Sequence, residues 1–314
     1  MREATVIVPS RGPASRLRRL LDSLADQSVE HETLVVDNAS PGAEVSALCD
    51  RYDFARAIRL EHNGGYSAPV NLAAGQASGD RLVLLNDDCV CERLFVERIS
   101  EPIDPGEGVV MVAGVLRDQS DPGLIDTAGM QLDRTLLVYD YLNGMPLQTV
   151  DDAPDPIGPS AAAAAFDRRA FLDVGGFDEQ LFAYWEDVDL VLRLVAEGGR
   201  CLLAREAIGT HEHSATLGSG SSAKNELMGF GRGYVLRKWR VLTPRSAAGV
   251  LARELTLVVG QAAIDRNLSG LPARIAGWRA AEPGVRYPAA VATEGRGDRL
   301  LTTLRRRLAR RRRR

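Results

Sequence analysis

Arg81-Leu82-Val83-Leu84-Leu85-Asn86-Asp87-Asp88 is the stretch on which the reading of this chain turns. Its apolar run is too short for a helix and continuous rather than alternating, the pattern of a strand buried on both faces. It breaks abruptly into an amide and two carboxylates. Upstream the same design repeats. An apolar strand at 5–8 stops at Pro9, and Leu17, Leu20, Leu21 and Leu24 then share one helical face. A strand at 33–36 ends in Asp37-Asn38, and a helix with Val45, Leu48 and Tyr52 on one side follows. Next come a strand at 56–60 and a helix, with Pro69 in its first turn, running to about Ala77. Strand-helix repeats joined by short loops predict an α/β fold with a mostly parallel, Rossmann-like sheet flanked by helices. Such sheets bind ligands beyond the carboxyl ends of their strands. Ser10-Arg11, Asp37-Asn38, Asn63-Gly64-Gly65 and Asn86-Asp87-Asp88 all fall there and are expected to converge on one rim.

Downstream the pattern weakens. Residues 102–159 are rich in Pro, Gly and Asp and read as irregular. Small residues at 161–165 precede Asp167, a helix cap before Ala170, Phe171 and Leu172, and Gly175-Gly176 closes that helix. A further helix is predicted over about 187–197, with Asp189 and Arg193 as an i, i+4 pair. Beyond Leu242 the chain is Ala- and Arg-rich and helical in character, with turn signals at Leu271-Pro272 and Glu282-Pro283. The expected organisation is a catalytic α/β domain over 1–242 and a helical extension over 243–314. No internal repeat is present.

The formal charge of -3 conceals an asymmetry: eight arginines lie in the last ten residues, leaving -11 for the rest. The acidic body offers no recognisable nucleic-acid fold, so nucleic acid is not expected as a partner. The arginine tail suits anionic lipid headgroups, and attachment to the inner face of a membrane is the expectation. Cys49, Cys89, Cys91 and Cys201 lack paired metal-type spacing and read as reduced thiols. The chain starts directly in a strand pattern without signal-peptide features. No run of eighteen uncharged apolar residues occurs, and the nearest, 247–264, contains Arg253 and Glu254. A cytoplasmic location is therefore expected.

Four motifs carry chemistry. Adjacent carboxylates at Asp87-Asp88 are costly after a buried strand unless neutralised, and oxygen ligands of this kind suit Mg²⁺ or Mn²⁺ carrying a diphosphate. A solvated turn would look the same. Trp185-Glu186-Asp187-Val188-Asp189 places three carboxylates at a helix start, which suits either the helix dipole or a general base. His211-Glu212-His213 offers imidazoles in a polar context, a weak motif alone, since an exposed loop histidine is the commoner case. Asn63-Gly64-Gly65-Tyr66 reads as a turn needing positive φ.

Taken in order, these elements resemble the family 2 glycosyltransferases of the GT-A fold. The resemblance covers about residues 3–242 and rests on Val6-Ile7-Val8-Pro9-Ser10-Arg11, Val35-Val36-Asp37-Asn38-Ala39-Ser40 and Asn63-Gly64-Gly65-Tyr66 with Asn71. It continues through Leu85-Asn86-Asp87-Asp88, Gly175-Gly176-Phe177-Asp178 and Trp185 to Leu190 with Arg193. The resemblance implies that Pro9, Ser10, Arg11, Asp37, Asn38, Asn63, Gly65, Asn86 and Asp87 line the donor nucleotide site. It implies Asp88 and His211 as ligands of a divalent metal, with His213 as the alternative histidine. Asp187, with Glu186 beside it, falls at the catalytic base, and Trp185 is expected at the acceptor platform. The implied reaction is inverting transfer from a nucleotide-diphosphate-sugar to a glycan or lipid-linked acceptor, in cell-surface polysaccharide synthesis. Asn86 replaces the first acid of the family's D-x-D motif, as in rhamnosyltransferase-like members, so dTDP-rhamnose leads UDP-hexoses as donor. A sugar nucleotidyltransferase and a non-catalytic nucleotide-sugar-binding module are the alternatives. Ser10-Arg11-Gly12 is too short for the Gly-rich phosphate loop of the first.

Overall fold

The computed structural model describes residues 4–212, 220–288 and 291. The first strands and helices alternate as the sequence predicts: β1 (Ala4–Ser10), α1 (Ala14–Ala25), β2 (His31–Asp37), α2 (Glu44–Cys49), β3 (Ala55–Arg59), α3 (Ser67–Gln76) and β4 (Arg81–Leu85). α2 is shorter than expected, ending at Cys49, and Tyr52 lies beyond it. β5 (Cys89–Cys91) and α4 (Phe95–Ser100) follow.

The segment read as irregular contains β6 (Val109–Asp118), β7 (Asp121–Thr127), β8 (Met130–Leu132) and β9 (Val138–Asp140). Its turn residues sit between short strands, and tertiary pairing decides their conformation. Then come β10 (Ala163–Asp167), α5 (Arg168–Asp173), α6 (Glu186–Ala196) and β11 (Arg200–His211). Asp167 caps α5 through the amide of Ala170, and Gly175 and Gly176 follow it with positive φ, as expected.

The main sheet has nine strands in the order β3-β2-β1-β4-β10-β6-β11-β5, with β7 on β6. β1 to β4 pair in parallel; β10 runs against both β4 and β6, and β11 is parallel to β6. Six of the nine strands (β1 to β4, β6 and β11) therefore share one direction, and β5, β7 and β10 oppose it. Alternate residues explain the continuous apolar runs. Leu82 and Leu84 face a core with α3, α5 and α6, while Val83 and Leu85 face another with α1, α2 and α4.

Three helices complete the described residues: α7 (Ser222–Lys238), α8 (Ala247–Asp265) and α9 (Gly270–Ala280). Pro272 lies inside the first turn of α9, not in a turn between helices; proline is tolerated where amides lack intrahelical partners. α7 and α9 approach closely because glycines line the crossing. A Cβ on Gly233 would fall 1.9 Å from the Arg274 carbonyl oxygen, and one on Gly277 1.9 Å from that of Phe230. The arginine tail and His213 lie outside the described residues.

Candidate active site

The rim forms as expected, and its polar groups pair with one another. Ser10 and Asp37 are register partners at the ends of β1 and β2. Asp37 is fully buried; Arg59 donates to its Oδ2 at 2.6 Å, and the amide and hydroxyl of Ser40 donate to its Oδ1. Asn38 donates to the Gly65 carbonyl at 2.6 Å and accepts from the Gly64 amide at 2.8 Å. Asn63 accepts from the Gly65 amide at 3.0 Å, closing the turn. Gly65 needs its identity twice over: its φ is +76°, and a Cβ would fall 2.0 Å from the Phe182 carbonyl oxygen. Pro9 is half-buried and Arg11 exposed at the same edge.

Past β4, Asn86 is half-buried while Asp87 and Asp88 are buried. The Ser10 hydroxyl donates to Asp87 at 2.6 Å, and the Arg16 guanidinium stands 3.8 Å away. Burial nevertheless pushes the Asp87 carboxyl up to about 6, with the neighbouring Asp88 charge adding to the rise.

Asp88 meets His211, the last residue of β11, with Oδ1 3.1 Å from Nε2. β11 pairs β5, with His211 opposite Cys89, which brings a residue distant in sequence beside the strand end. The other imidazole nitrogen, Nδ1, lies 2.8 Å from Oδ2 of Asp126 on β7. Burial alone would depress the His211 pKa, but the two carboxylates outweigh it and push it up to about 10. Asp126 was not singled out from the sequence. Its only local signal is a carboxylate after two apolar residues, Leu124 and Ile125, within a segment that looks irregular.

The donor set fits a divalent cation. Asp88 Oδ1 is buried without a well-aligned hydrogen bond, and Nε2 of His211 is aimed at it while Asp126 holds Nδ1. A carboxylate behind an imidazole is how proteins fix the tautomer and orientation of a metal-binding histidine. Cys89 Sγ is near enough to join, the three ligand atoms lying within 4.8 Å of one another. Burial raises the Cys89 pKa well above the usual thiol range, and a soft sulfur ligand suits neither Mg²⁺ nor Mn²⁺. Asp88 oxygen and His211 nitrogen thus remain as donors, a set suited to Mg²⁺ or Mn²⁺.

The acidic motif opens α6. Tyr184 and Trp185 both hold left-handed φ, 67° and 75°, a costly conformation for bulky residues. Their surroundings enforce it: Trp185 donates its indole N–H to the Met228 carbonyl of α7 at 3.0 Å, and Arg232 lies 5.3 Å from its ring. Trp185 is 4% exposed, so the expected acceptor platform is corrected. Its indole is a buried brace between α6 and α7, because the left-handed turn rotates the ring into the body. Behind it Glu186 is buried with Oε2 lacking a hydrogen-bond partner, and burial together with the Asp187 charge holds its carboxyl well above the usual range. Asp187 is half-buried and accepts from the amides of Val188, at 2.8 Å, and Ala161. Burial exceeds these bonds and raises it to about 6.

Residues 161 and 162 join the two halves. Ala162 O accepts from the Asn86 amide at 3.4 Å and from Cys89 Sγ, while the adjacent Ala161 amide holds Asp187. Tyr66, from the glycine turn, donates to the Ala161 carbonyl at 2.7 Å.

The fold is shared with solved structures of similar architecture. GalNAc-T7, solved with UDP, GalNAc and Mn²⁺, superposes with TM-score 0.61 at 14% identity, covering 90% of this chain and 55% of that one. The mannosyltransferase PcManGT from Pyrobaculum calidifontis, in complex with GDP-Man and Mn²⁺, gives 0.56 at 18% identity, covering 90% and 76%. The fold is GT-A. The family model described as glycosyl transferase family 2 matches residues 5–174, more than half the chain, and the chain belongs to that family. Similar relatives include the O-antigen biosynthesis protein RfbC of Myxococcus xanthus, 30% identical over 232 residues, 68% of this chain and 18% of RfbC. The pre-mycofactocin glycosyltransferase of Mycobacterium tuberculosis (strain CDC 1551 / Oshkosh) is 29% identical over 224 residues, 69% of this chain and 44% of that protein. The chain spans less than half the length of these two relatives.

Proposed function

We propose that this chain transfers a sugar, with inversion, from a nucleotide-diphosphate-sugar to a hydroxyl of a glycan or lipid-linked acceptor in cell-surface polysaccharide synthesis. The observation that carries the proposal is the pairing through Ala161-Ala162 of a buried imidazole–carboxylate cluster with a raised carboxyl at Asp187. Family membership and the name of the Myxococcus xanthus relative support the polysaccharide setting.

Asp88 and His211 would hold the divalent cation, which when bound offsets the negative charge that builds on the leaving diphosphate. Asp126 fixes the His211 ring with Nε2 turned toward Asp88, so that a cation bound there would take the place of the proton on Nε2. Asp187 takes the acceptor proton. Raised to about 6, it is mostly carboxylate at neutral pH yet more basic than an ordinary Asp. Glu186, its carboxyl held well above the usual range by burial and by the Asp187 charge, stands behind it. The rim from Pro9 to Asp87 positions the nucleotide, so that attack starts from an ordered pair of substrates. dTDP-rhamnose is the leading donor on the strength of Asn86, with UDP-hexoses next.

The test is a thermal-shift and nucleotide-release screen against dTDP-, UDP- and GDP-sugars with Mn²⁺, Mg²⁺ or EDTA. Stabilisation by one nucleotide class that requires metal and is lost in Asp88→Ala supports the proposal. A protein that responds to no donor under any metal condition refutes it.

A further inference from the structure

α8 is built inside out for a helix on a water-facing surface. Its outward side carries Leu251, Leu255 and Val259, which are 59%, 64% and 57% exposed, spaced one helical turn apart. The neighbouring Leu268, Leu271 and Ile275 continue the apolar surface onto α9, each more than two-fifths exposed. Only Val250 of α8 is buried. By length and composition α8 is apolar enough to cross a membrane. Its polar residues show instead that it lies along the body. Glu254 pairs with Arg232 of α7 at 2.7 Å and with Arg274 of α9 at 3.1 Å, and Arg253 reaches Asp133 at 3.2 Å. Asn225 of α7 donates to Asp265 at the far end of α8, at 3.2 Å. Charges along the inner side are bound to the protein, and the outer side is left without any.

Arginine dominates the charge of this part of the chain, although Glu282 is exposed between Arg279 and Arg286. Residues 243–314 contain sixteen arginines against five acids, a formal +11, so the remaining 242 residues carry -14 of the chain's -3. Arg240, Arg245, Arg266, Arg279 and Arg286 are exposed near the ends of α8 and α9. An uncharged apolar strip rimmed by arginine matches the interface of an anionic bilayer, where acyl chains lie beneath negative headgroups. A second copy docked through the same face would bring these exposed arginines against one another.

We propose that the outer face of α8 and α9 is a membrane-docking surface that lies in the plane of an anionic bilayer. α7 connects it to the site: it packs on α9 on one side and accepts the Trp185 indole bond, next to Glu186 and Asp187, on the other. Docking would therefore hold the acid pair at a fixed position relative to the lipid surface, with α7 between, which suits a lipid-linked acceptor. That consequence rests on the sugar-transfer proposal, but docking itself does not.

The experiment is vesicle flotation of the full chain, using phosphatidylcholine alone or with about one-third phosphatidylglycerol. The comparison is Leu251→Gln/Leu255→Gln/Val259→Gln, with thermal melting as the check on folding. The wild type is expected to float with anionic vesicles and to remain partly bound in about 1 M NaCl, where charge is screened within about 3 Å. The triple variant is expected to melt normally and to lose at least about tenfold in partitioning. Unchanged partitioning of the variant, or wild-type binding abolished entirely by salt, would assign attachment to charge alone and overturn the proposal. Failure of the wild type to float, with a concentration-dependent dimer that the triple variant dissolves, would make the occupant a second copy. Because flotation involves no donor, a failed sugar transfer leaves its outcome intact.

Discussion

Two ends of neighbouring strands in this molecule are finished to different degrees. At the β1–β2 end every polar group around Asp37 and Asn38 has a protein partner: Arg59 and Ser40 satisfy the carboxylate, Gly64 and Gly65 the amide. At the β4–β11 end and the start of α6, polar atoms are buried with their hydrogen bonding incomplete, Asp88 Oδ1 and Glu186 Oε2 among them. Buried polar groups with incomplete hydrogen bonding cost about 1–3 kcal/mol each, so this end of the sheet is the less stable of the two as it stands. The first end is closed by its own hydrogen bonds, and the second gathers buried carboxyls around one imidazole. The difference predicts that substitutions at the first end lower stability along with any effect on donor binding, whereas those at the second lower activity with little loss of stability.

The sharpest test is Asp187→Asn. As the base it should lower kcat by about 10²- to 10⁴-fold while donor-induced stabilisation persists, because the proton is taken only as attack proceeds. Loss of donor binding instead would place Asp187 with the residues of the first end. Asp88→Ala and His211→Ala should each reduce turnover by about 10²- to 10³-fold and abolish metal-dependent shifts in Tm. Wild-type metal response in either variant would break the cation assignment. For Asp126→Asn, metal titration should show affinity weaker by about 10- to 100-fold, since the ring is oriented from behind. Equal affinity would reduce Asp126 to a structural partner. Asn38→Ala, at the finished end, should cost about 1–3 kcal/mol in denaturant unfolding. An effect on turnover with no loss of stability would erase the contrast.

The smallest effect concerns pH. Folding raises the Asp187 carboxyl from its ordinary 3.8 to about 6, so the folded chain disfavours its charge. The destabilisation is absent below about pH 3.8, grows between there and about 6, and is fully present above. Melting curves of Asp187→Asn should therefore gain on wild type as pH rises through this window, whereas catalysis by wild type should gain from deprotonation over the same range. A variant that loses stability relative to wild type with rising pH would contradict the burial that sets this group apart.

Much of this was legible in the sequence because it depends on local order. Apolar runs at 5–8, 33–36 and 81–85 name their strands, and each is followed at once by the polar residues that its carboxyl end presents. Asp88 and Asp187 stand out for the same reason, as acids placed directly after or before a strong element. Asp126 did not, because its strand lies among turn residues and is held in place by pairing with β6. Trp185 misled because its motif says nothing about φ; the left-handed turn and the Met228 carbonyl bury a ring that the sequence alone leaves free to face an acceptor.

The amino-acid sequence by itself determined the strand-helix alternation, the family and the residues at the parallel strand ends, since periodicity and turn chemistry act over a few positions. Only the tertiary structure decided that His211 stands between Asp88 and Asp126, that Ala161-Ala162 ties the acid pair to that cluster, and that α8 turns its charges inward. Those arrangements join residues far apart in the chain. They are set by strand pairing and by the requirement that buried charges find partners, which no local pattern encodes.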